Sequence, residues 1–373
     1  MSILGINWYS HDSSAAILDE TGKIAAAAEE ERFSRKKHTV DFPAEAIRYC
    51  LKEARASSRD LRHVAFSFDP FLQFRKRLFR GIRFFDHTFA FGERTPAHYL
   101  PFSLRRRLAA CSPVLKDSSY HLHFVNHHKA HAASTFFSSS FERAAILTVD
   151  GSGEWATTVL ARGEGNRIIP IEEIYYPHSL GLLYSALTQF LGFRPGGDEG
   201  KVMALAAYGG PSFRQQFREL IQIDSRGHFK LNPKYLDFRF GTSVEYKPCI
   251  AELLGPPRHP NGPMEERHKE IAATLQTILE EVLLGLARRL NKKTGLKDLC
   301  LAGGVALNCS ANGRLLRESG FQKIFVQPAS GDAGTALGSA LFVSHVLQKV
   351  PRNGAMNNAY WGPDFSEYEI EHA

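Results

Sequence analysis

Residues 144–160 read Ala144-Ala145-Ile146-Leu147-Thr148-Val149, then Asp150-Gly151-Ser152-Gly153-Glu154-Trp155, then Ala156-Thr157-Thr158-Val159-Leu160. An apolar run, a turn of small polar residues and a second apolar run make a strand–turn–strand unit. The same order opens the chain. Residues 3–9 alternate loosely, His11-Asp12-Ser13-Ser14 forms a polar turn, and Ala15-Ala16-Ile17-Leu18 follows. A further turn at Asp19–Lys23 leads to Ile24–Ala28 and completes a three-strand meander. Two copies of one hairpin with a small polar tip predict a duplicated fold.

Working outward, Pro43 opens a helix to about Ala54, and Leu61–Phe68 reads as a strand. Helices are expected at Leu180–Leu191, at Lys201–Tyr208 and from about Met264 to Lys293. In the last of these Ile271, Leu275, Ile278, Val282, Leu286 and Leu290 recur at helical spacing, and Gly295 closes it. Two strand–glycine turn–helix units follow. One runs Asp298–Ala302, Gly303-Gly304 and a helix from about Ala306; the other runs Lys323–Gln327, Pro328–Gly331 and a helix opening at Asp332. Such alternation predicts an α/β fold with ligands at strand ends. The expected division is subdomain 1 at about 1–140, with a basic insertion at 71–107, subdomain 2 at about 141–350, and a polar 351–373 as a linker or the start of a further domain.

The 373 residues are 43% hydrophobic and 23% charged, an ordinary globular balance. Five cysteines, an odd number with no Cys-x-x-Cys, read as reduced thiols. With no basic-then-apolar leader and no apolar stretch of membrane-span length, a cytoplasmic protein is expected. The net charge of +7 is local: Arg75 to Arg107 holds nine Lys or Arg against Asp86 and Glu93, interleaved with Phe and Tyr. The reading adopted is an amphipathic insertion with its aromatics inward. Nucleic-acid or anionic-surface binding is the alternative.

His127 and His131 lie one helical turn apart and share a face. The spacing is that of zinc proteases, but His128-Lys129-Ala130 supplies no glutamate base, which sets that chemistry aside. Asp150 and Asp332 each follow an apolar strand, where a sheet would present them toward the same cleft. Two imidazoles and two carboxylates suit Fe(II), Mn(II) or Zn(II) rather than Ca(II). His128 points about 100° away and is read as structural.

Gly151-Ser152-Gly153 and Gly303-Gly304 are turns whose N–H groups can hold phosphate, although each is also a plain turn or strand-to-helix connection. His11, at a hairpin tip beside Asp12, is a candidate base for a hydroxyl nucleophile, with a plain turn histidine as the alternative. Arg32, Arg35, Lys36, Lys37 and His38 read as a phosphate or carboxylate clamp, with a solvated loop as the alternative. In Gly196–Lys201, Lys201 could reach a phosphate, and Asp198 or Glu199 an acceptor hydroxyl.

Taken together these residues resemble the O-carbamoyltransferases of antibiotic and nodulation-factor biosynthesis. The metal-binding part is similar to the transferase that makes threonylcarbamoyladenosine in tRNA. The matching stretches are Gly5–Ala16, Ala28–His38, Val125–Ala133, Leu147–Trp155, His178–Tyr184, Gly197–Tyr208, Leu301–Asn312 and Pro328–Leu341. The resemblance implies the duplicated fold of actin, sugar kinases and heat-shock ATPases, two mixed-sheet subdomains with a cleft between them. It implies a two-stage reaction: an adenylate-forming domain makes carbamoyl adenylate from carbamoyl phosphate and ATP, and the metal domain passes the carbamoyl group to an alcohol. Carried onto this chain, His127, His131, Asp150 and Asp332 hold an Fe(II)-type ion, with Mn or Zn as substitutes, and His11 takes the acceptor's proton. Lys36, Gly151, Ser152, Gly153, Gly181, Lys201, Gly303, Gly304 and Asn308 hold the nucleotide, and Tyr9, Asp12, Asp198 and Glu199 face the acceptor.

The family continues past the position of Ala373 into the adenylate-forming domain, so that domain is expected in cis or in trans, and activation of carbamoyl phosphate is not expected of this chain. The partner expected is a small-molecule hydroxyl acceptor, a sugar or a natural product, with no membrane or nucleic acid and a homodimer left open. The rival enzymes are a tRNA threonylcarbamoyl transferase, favoured by the basic segment, and a kinase or ATPase of the same fold, which gives no reason for the histidine pair. A non-catalytic binding module is the remaining alternative.

Overall fold

The structure, a computed structural model, describes residues 2–8, 11–70, 72, 101–224, 227–239, 243–352, 355–362 and 365–372. The chain divides into unit 1, Met1–Ser140 with Asp332–Ala373, and unit 2, Phe141–Gly331. Tyr9 and most of the basic insertion lie outside the described residues.

Unit 1 carries strands β1 (Ser2–Asn7), β2 (Ser14–Leu18), β3 (Ile24–Glu29), β4 (Leu61–Phe66) and β5 (His121–Phe124), in the sheet order β3-β2-β1-β4-β5. The meander pairs antiparallel, with Ile3 beside Leu18 and Asn7 beside Ser14. β1 to β4 and β4 to β5 run parallel. Its first helices are α1 (Glu31–Ser34), α2 (Ala44–Glu53), α3 (Pro101–Cys111), α4 (Pro113–Asp117) and α5 (His127–Phe136). Every residue of β1 is buried, as a central strand covered on both faces requires. Leu4 and Ile6 face a core with Ala46, Ile47 and Cys50 of α2. Glu30, itself buried, accepts a hydrogen bond from the Ala46 N–H at 2.9 Å and so satisfies the start of α2.

Unit 2 repeats this topology. Strands β6 (Arg143–Val149), β7 (Ala156–Glu164) and β8 (Arg167–Tyr175) form the antiparallel meander. After two short hairpins, β9 (Ile221–Ile223) with β10 (Phe229–Leu231) and β11 (Leu236–Arg239) with β12 (Ser243–Tyr246), come β13 (Asp298–Ala302) and β14 (Lys323–Val326). The sheet order is β14-β13-β6-β7-β8, with β6, β13 and β14 parallel. Both sheets are thus an antiparallel meander extended by two parallel strands on the side of its first strand. The fold is a duplicated α/β one, as the repeated hairpin predicts. β8 is an edge strand with Pro170 and mixed polarity, which hid it from the sequence reading.

The helices of unit 2 are α6 (Leu180–Phe190), α7 (Glu199–Ala206), α8 (Arg214–Leu220), α9 (Ala251–Leu254), α10 (Glu266–Thr294) and α11 (Cys309–Glu318). α10 buries the expected stripe, and Gly295 ends it in the left-handed conformation at φ 64°. The helix expected from Ala306 begins at Cys309 instead. A 3₁₀ turn over Gly304–Leu307 intervenes, and Asn308 then caps α11 by accepting the Ala311 N–H.

The division of the chain differs from the expectation of 141–350 as one subdomain. At Asp332 the chain returns to unit 1, where α12 (Ala333–Leu341), and later α13 (Glu367–Glu371), belong. α12 is a helix of small residues packed on β1 and α5. A Cβ at Gly338 would fall on the Ala130 carbonyl oxygen, and one at Gly5 on the Ala336 carbonyl oxygen. Ser14 Oγ donates to the Ala333 carbonyl at 2.8 Å, and Ser339 Oγ to that of Ala336 at 2.8 Å. In α3, Leu104 and Leu108 are buried while Arg105 and Arg107 lie over the rings of Tyr120 and Trp8 at 5.0 and 4.8 Å. Among the described residues no helix is long and apolar enough to cross a membrane.

Two outcomes follow from this packing. Gly338→Ala forces α5 and α12 apart and should lower unfolding stability by about 1–3 kcal/mol, read from denaturant midpoints. His63 Nδ1 and His123 Nε2 share a hydrogen bond of 2.9 Å, and His121 stacks on His63 at 5.7 Å. Burial pushes His63 below its ordinary value and His123 down to about 4, with the neighbouring imidazoles adding to both shifts. Each is therefore held neutral in the fold. Their contribution is complete above the unfolded value of about 6.5 and is lost as the pH falls toward 4. The melting temperature should drop over that window, less steeply in His123→Gln.

Candidate metal centre

Asn126 caps α5 by accepting the Lys129 N–H at 3.1 Å, which sets His127 in the first turn and His131 one turn on. Both side chains are buried, with 1% and 0% exposure. Their Nε2 atoms lie 3.0 Å apart, with the rings perpendicular. Asp332 caps α12, its carbonyl accepting from the N–H of Thr335 at 2.9 Å and from Thr335 Oγ1 at 2.6 Å. The close seat of Gly338 on Ala130 brings this helix start against α5. Asp332 Oδ1 lies 3.5 Å from His127 Nε2 and 3.7 Å from His131 Nε2.

These separations can be tested against coordination geometry. Two donors about 2.1 Å from one ion lie about 3.0 Å apart at a right angle and about 3.4 Å apart at the tetrahedral angle. The observed 3.0 Å matches the right angle, and 3.5 and 3.7 Å lie somewhat beyond the tetrahedral spacing, at about 113° and 124° for such donors. Two imidazole nitrogens and a carboxylate oxygen, buried together, therefore fit a divalent transition ion. His128 is also buried, and its ring lies 5.8 Å from that of His127 and 6.1 Å from that of His131, outside this trio.

In unit 2 the end of β6 places Asp150, buried, where its Oδ1 accepts the Gly304 N–H at 2.9 Å. Gly303, at φ 94°, sits on Val149 so closely that a Cβ would meet the Val149 carbonyl. Ser179 Oγ donates to the carbonyls of Asp150 and Gly151 at 3.2 and 2.7 Å, so the 150–153 turn, the Ser179–Gly181 entry to α6 and the Gly303-Gly304 turn converge. Ser179 was missed by the sequence reading; its position before an apolar helix was the available cue. Asn308 exchanges two amide hydrogen bonds with Gln276, at 2.8 and 2.9 Å, besides capping α11. Glu199 accepts from Ser185 Oγ at 2.6 Å and from the Gly196 N–H at 2.7 Å, which ties the 196–200 loop to α6. Asp198 accepts the Arg194 N–H at 3.1 Å and pairs with the exposed Lys201 at 2.8 Å.

At the β1–β2 tip of unit 1, His11 Nδ1 lies 2.7 Å from Asp12 Oδ2. The residues expected as one clamp separate. Lys36 pairs with Asp41 at 3.0 Å on the surface, and Arg32 stands near Glu29 and Glu31, while His38 turns inward to Asp12 Oδ1 at 2.7 Å. Burial acts to raise the Asp12 carboxyl, but hydrogen bonds and charge from His11, and then from His38, outweigh it and hold the group below its ordinary value.

Comparison with known proteins bears on these sites. The family model described as the carbamoyltransferase N-terminus matches residues 2–341. An uncharacterised protein of Synechocystis sp. is 44% identical over 382 residues, covering 99% of this chain and 62% of that protein. The nodulation protein NolNO of Sinorhizobium fredii is 37% identical over 360 residues, covering 96% of this chain and 50% of its own. The 3'-hydroxymethylcephem-O-carbamoyltransferase of Streptomyces clavuligerus is 31% identical over 150 residues, covering 39% of this chain and 25% of its own. The chain spans 62% and 50% of the length of the first two. With a match that runs through both units, the chain belongs to the carbamoyltransferase family, as its N-terminal region.

Proposed function

We propose that this chain carries the transfer step of an O-carbamoyltransferase, moving a carbamoyl group from carbamoyl adenylate to a hydroxyl of a sugar or natural product. The observation that carries the reading is the buried trio of His127, His131 and Asp332, two nitrogens and one oxygen at coordination spacing. The family and the cephem O-carbamoyltransferase among its relatives support the chemistry.

In this reading His127, His131 and Asp332 hold an Fe(II)-type ion, with Asp150, from its place after β6 in the sequence pattern, as the fourth ligand. Once bound, such an ion offsets phosphate charge and polarises a carbonyl. His11 removes the acceptor's hydroxyl proton. The acceptor oxygen bonds to the carbamoyl carbon as the carbon's bond to the phosphate oxygen breaks, and AMP leaves. Because AMP is a good leaving group, a modest base is enough. The backbone N–H groups of Gly151 and Ser152 suit the adenylate phosphate, while those of Gly153, Gly303 and Gly304 donate to Ala156, Ser330 and Asp150 and hold the two turns in shape. Lys36 and Lys201, exposed and paired with Asp41 and Asp198, add positive charge for it. Asp198 and Glu199 bind acceptor hydroxyls. Carbamoyl phosphate and ATP are joined by an adenylate-forming domain in cis or in trans.

The test loads the chain anaerobically with ferrous iron and supplies synthetic carbamoyl adenylate with glucose, kanamycin or uridine as probe acceptors. About one ion per chain is expected by mass spectrometry, with AMP release that depends on an acceptor. His127→Ala and His131→Ala should lose the ion and slow transfer by more than the roughly 100-fold that marks disturbance of a metal's outer shell. Equal metal content or equal AMP release in His127→Ala overturns the proposal.

A further inference from the structure

The segment after β3 folds back onto the tip of the first hairpin. Glu30 N–H donates to the Ser13 carbonyl at 2.8 Å, and Ser13 N–H donates to the Thr39 carbonyl at 3.2 Å. His38 N–H donates to Glu31 Oε2 at 2.8 Å. Asn7 Nδ2 donates to the carbonyls of His11 and Asp12 at 3.3 and 3.0 Å, and Ser67 Oγ holds Asn7 Oδ1 at 2.9 Å. The backbone on both sides of Asp12 is therefore anchored.

Asp12 and His38 both adopt the left-handed conformation, each at φ 55°. L residues rarely occupy that region, and glycine would enter it without strain. Both positions instead carry side chains that meet. The Asp12 carboxylate lies between two imidazoles, His11 Nδ1 on Oδ2 and His38 Nδ1 on Oδ1, both at 2.7 Å. An ionised carboxylate only accepts, so each imidazole must carry its proton on Nδ1. For neutral His11 that leaves the lone pair on Nε2, the nitrogen a base would use. With one oxygen taken by His38, the carboxylate plane is fixed and Oδ2 is held toward His11. Side-chain exposure rises along the series, from 20% at Asp12 and 22% at His38 to 47% at His11, so the outermost ring is the one that can meet a substrate.

We infer that His38 is a positioning residue: through Asp12 it holds His11 in the Nδ1–H tautomer and in a single orientation. The role rests on the reading of His11 as the base for the acceptor hydroxyl. It differs from the phosphate clamp expected of this loop, because His38 bonds Asp12 at the hairpin tip while Lys36 pairs with Asp41.

The test compares His38→Gly with His38→Asn. Glycine keeps the left-handed backbone and removes the donor. Asparagine tolerates that backbone and places an amide N–H near the former Nδ1. In ¹⁵N-histidine-labelled chain without substrate, the ring shifts of His11 should report the Nδ1–H tautomer in wild type and in His38→Asn. They should move to a tautomer mixture, with a changed titration midpoint, in His38→Gly. In the transfer assay His38→Gly should lower kcat about tenfold, a part of the roughly 10²–10⁴ that a general base supplies. KM for the donor should stay within about threefold, and His38→Asn should recover most of the loss. A His11 tautomer and midpoint unchanged in His38→Gly overturn the inference, as does His38→Asn failing equally with its bound iron retained. The two readings separate cleanly. A tautomer shift in His38→Gly, with no transfer activity even in the wild-type chain, supports the positioning role and sinks the carbamoyl-transfer reading, whereas wild-type transfer with an undisturbed tautomer in His38→Gly does the reverse.

Discussion

The candidate centre depends on one backbone contact. The turn of α12 at Gly338 rests directly on the carbonyl of Ala130 in α5, and the turn at Ala336 rests on Gly5 of β1. Side chains of ordinary size would hold two helices about 8–10 Å apart. Glycine and alanine remove that spacer, and only then does the carboxylate at the start of α12 reach the histidine pair at the start of α5. The ligand geometry is thus written in residues that have no functional groups. Ser134 of α5 and Ser339 of α12 return their hydroxyls to nearby carbonyls of their own helices at 2.8 Å and so do not leave polar atoms stranded.

Unit 2 uses the same economy differently. There the strand ends β6 and β13 are drawn together by Gly303, and the anchored atom is a carboxylate oxygen, Asp150 Oδ1, held by a backbone N–H. Ser179 ties the adjacent turn from the other side. Turns fixed in this way are rigid before any ligand arrives.

Much of this was legible in the chain. The repeated hairpin announced the duplication, because polarity that alternates around a small polar tip is a local signal. The four-residue spacing of His127 and His131 announced a shared helical face; the asparagine that caps the helix came from the structure. Other features were not legible for definable reasons. Helix 333–341 reads identically whether it covers one sheet or the other, since its apolar surface names no partner, so its return to unit 1 had to come from the structure. His38 sits among four cations and looked like part of their patch. Its inward turn depends on a left-handed backbone at two non-glycine positions, which no composition reveals. β8, at a sheet edge and half wetted, lacked the pattern that marks a buried strand.

The late return of the chain also has a consequence for biogenesis. About 200 residues separate His131 from Asp332. At a synthesis rate of roughly 5–20 residues per second, the histidine pair leaves the ribosome some 10–40 seconds before the carboxylate that completes the trio. Throughout that interval the nascent polypeptide carries two imidazole donors without their oxygen partner. All three donors can therefore meet one ion only after Asp332 has emerged.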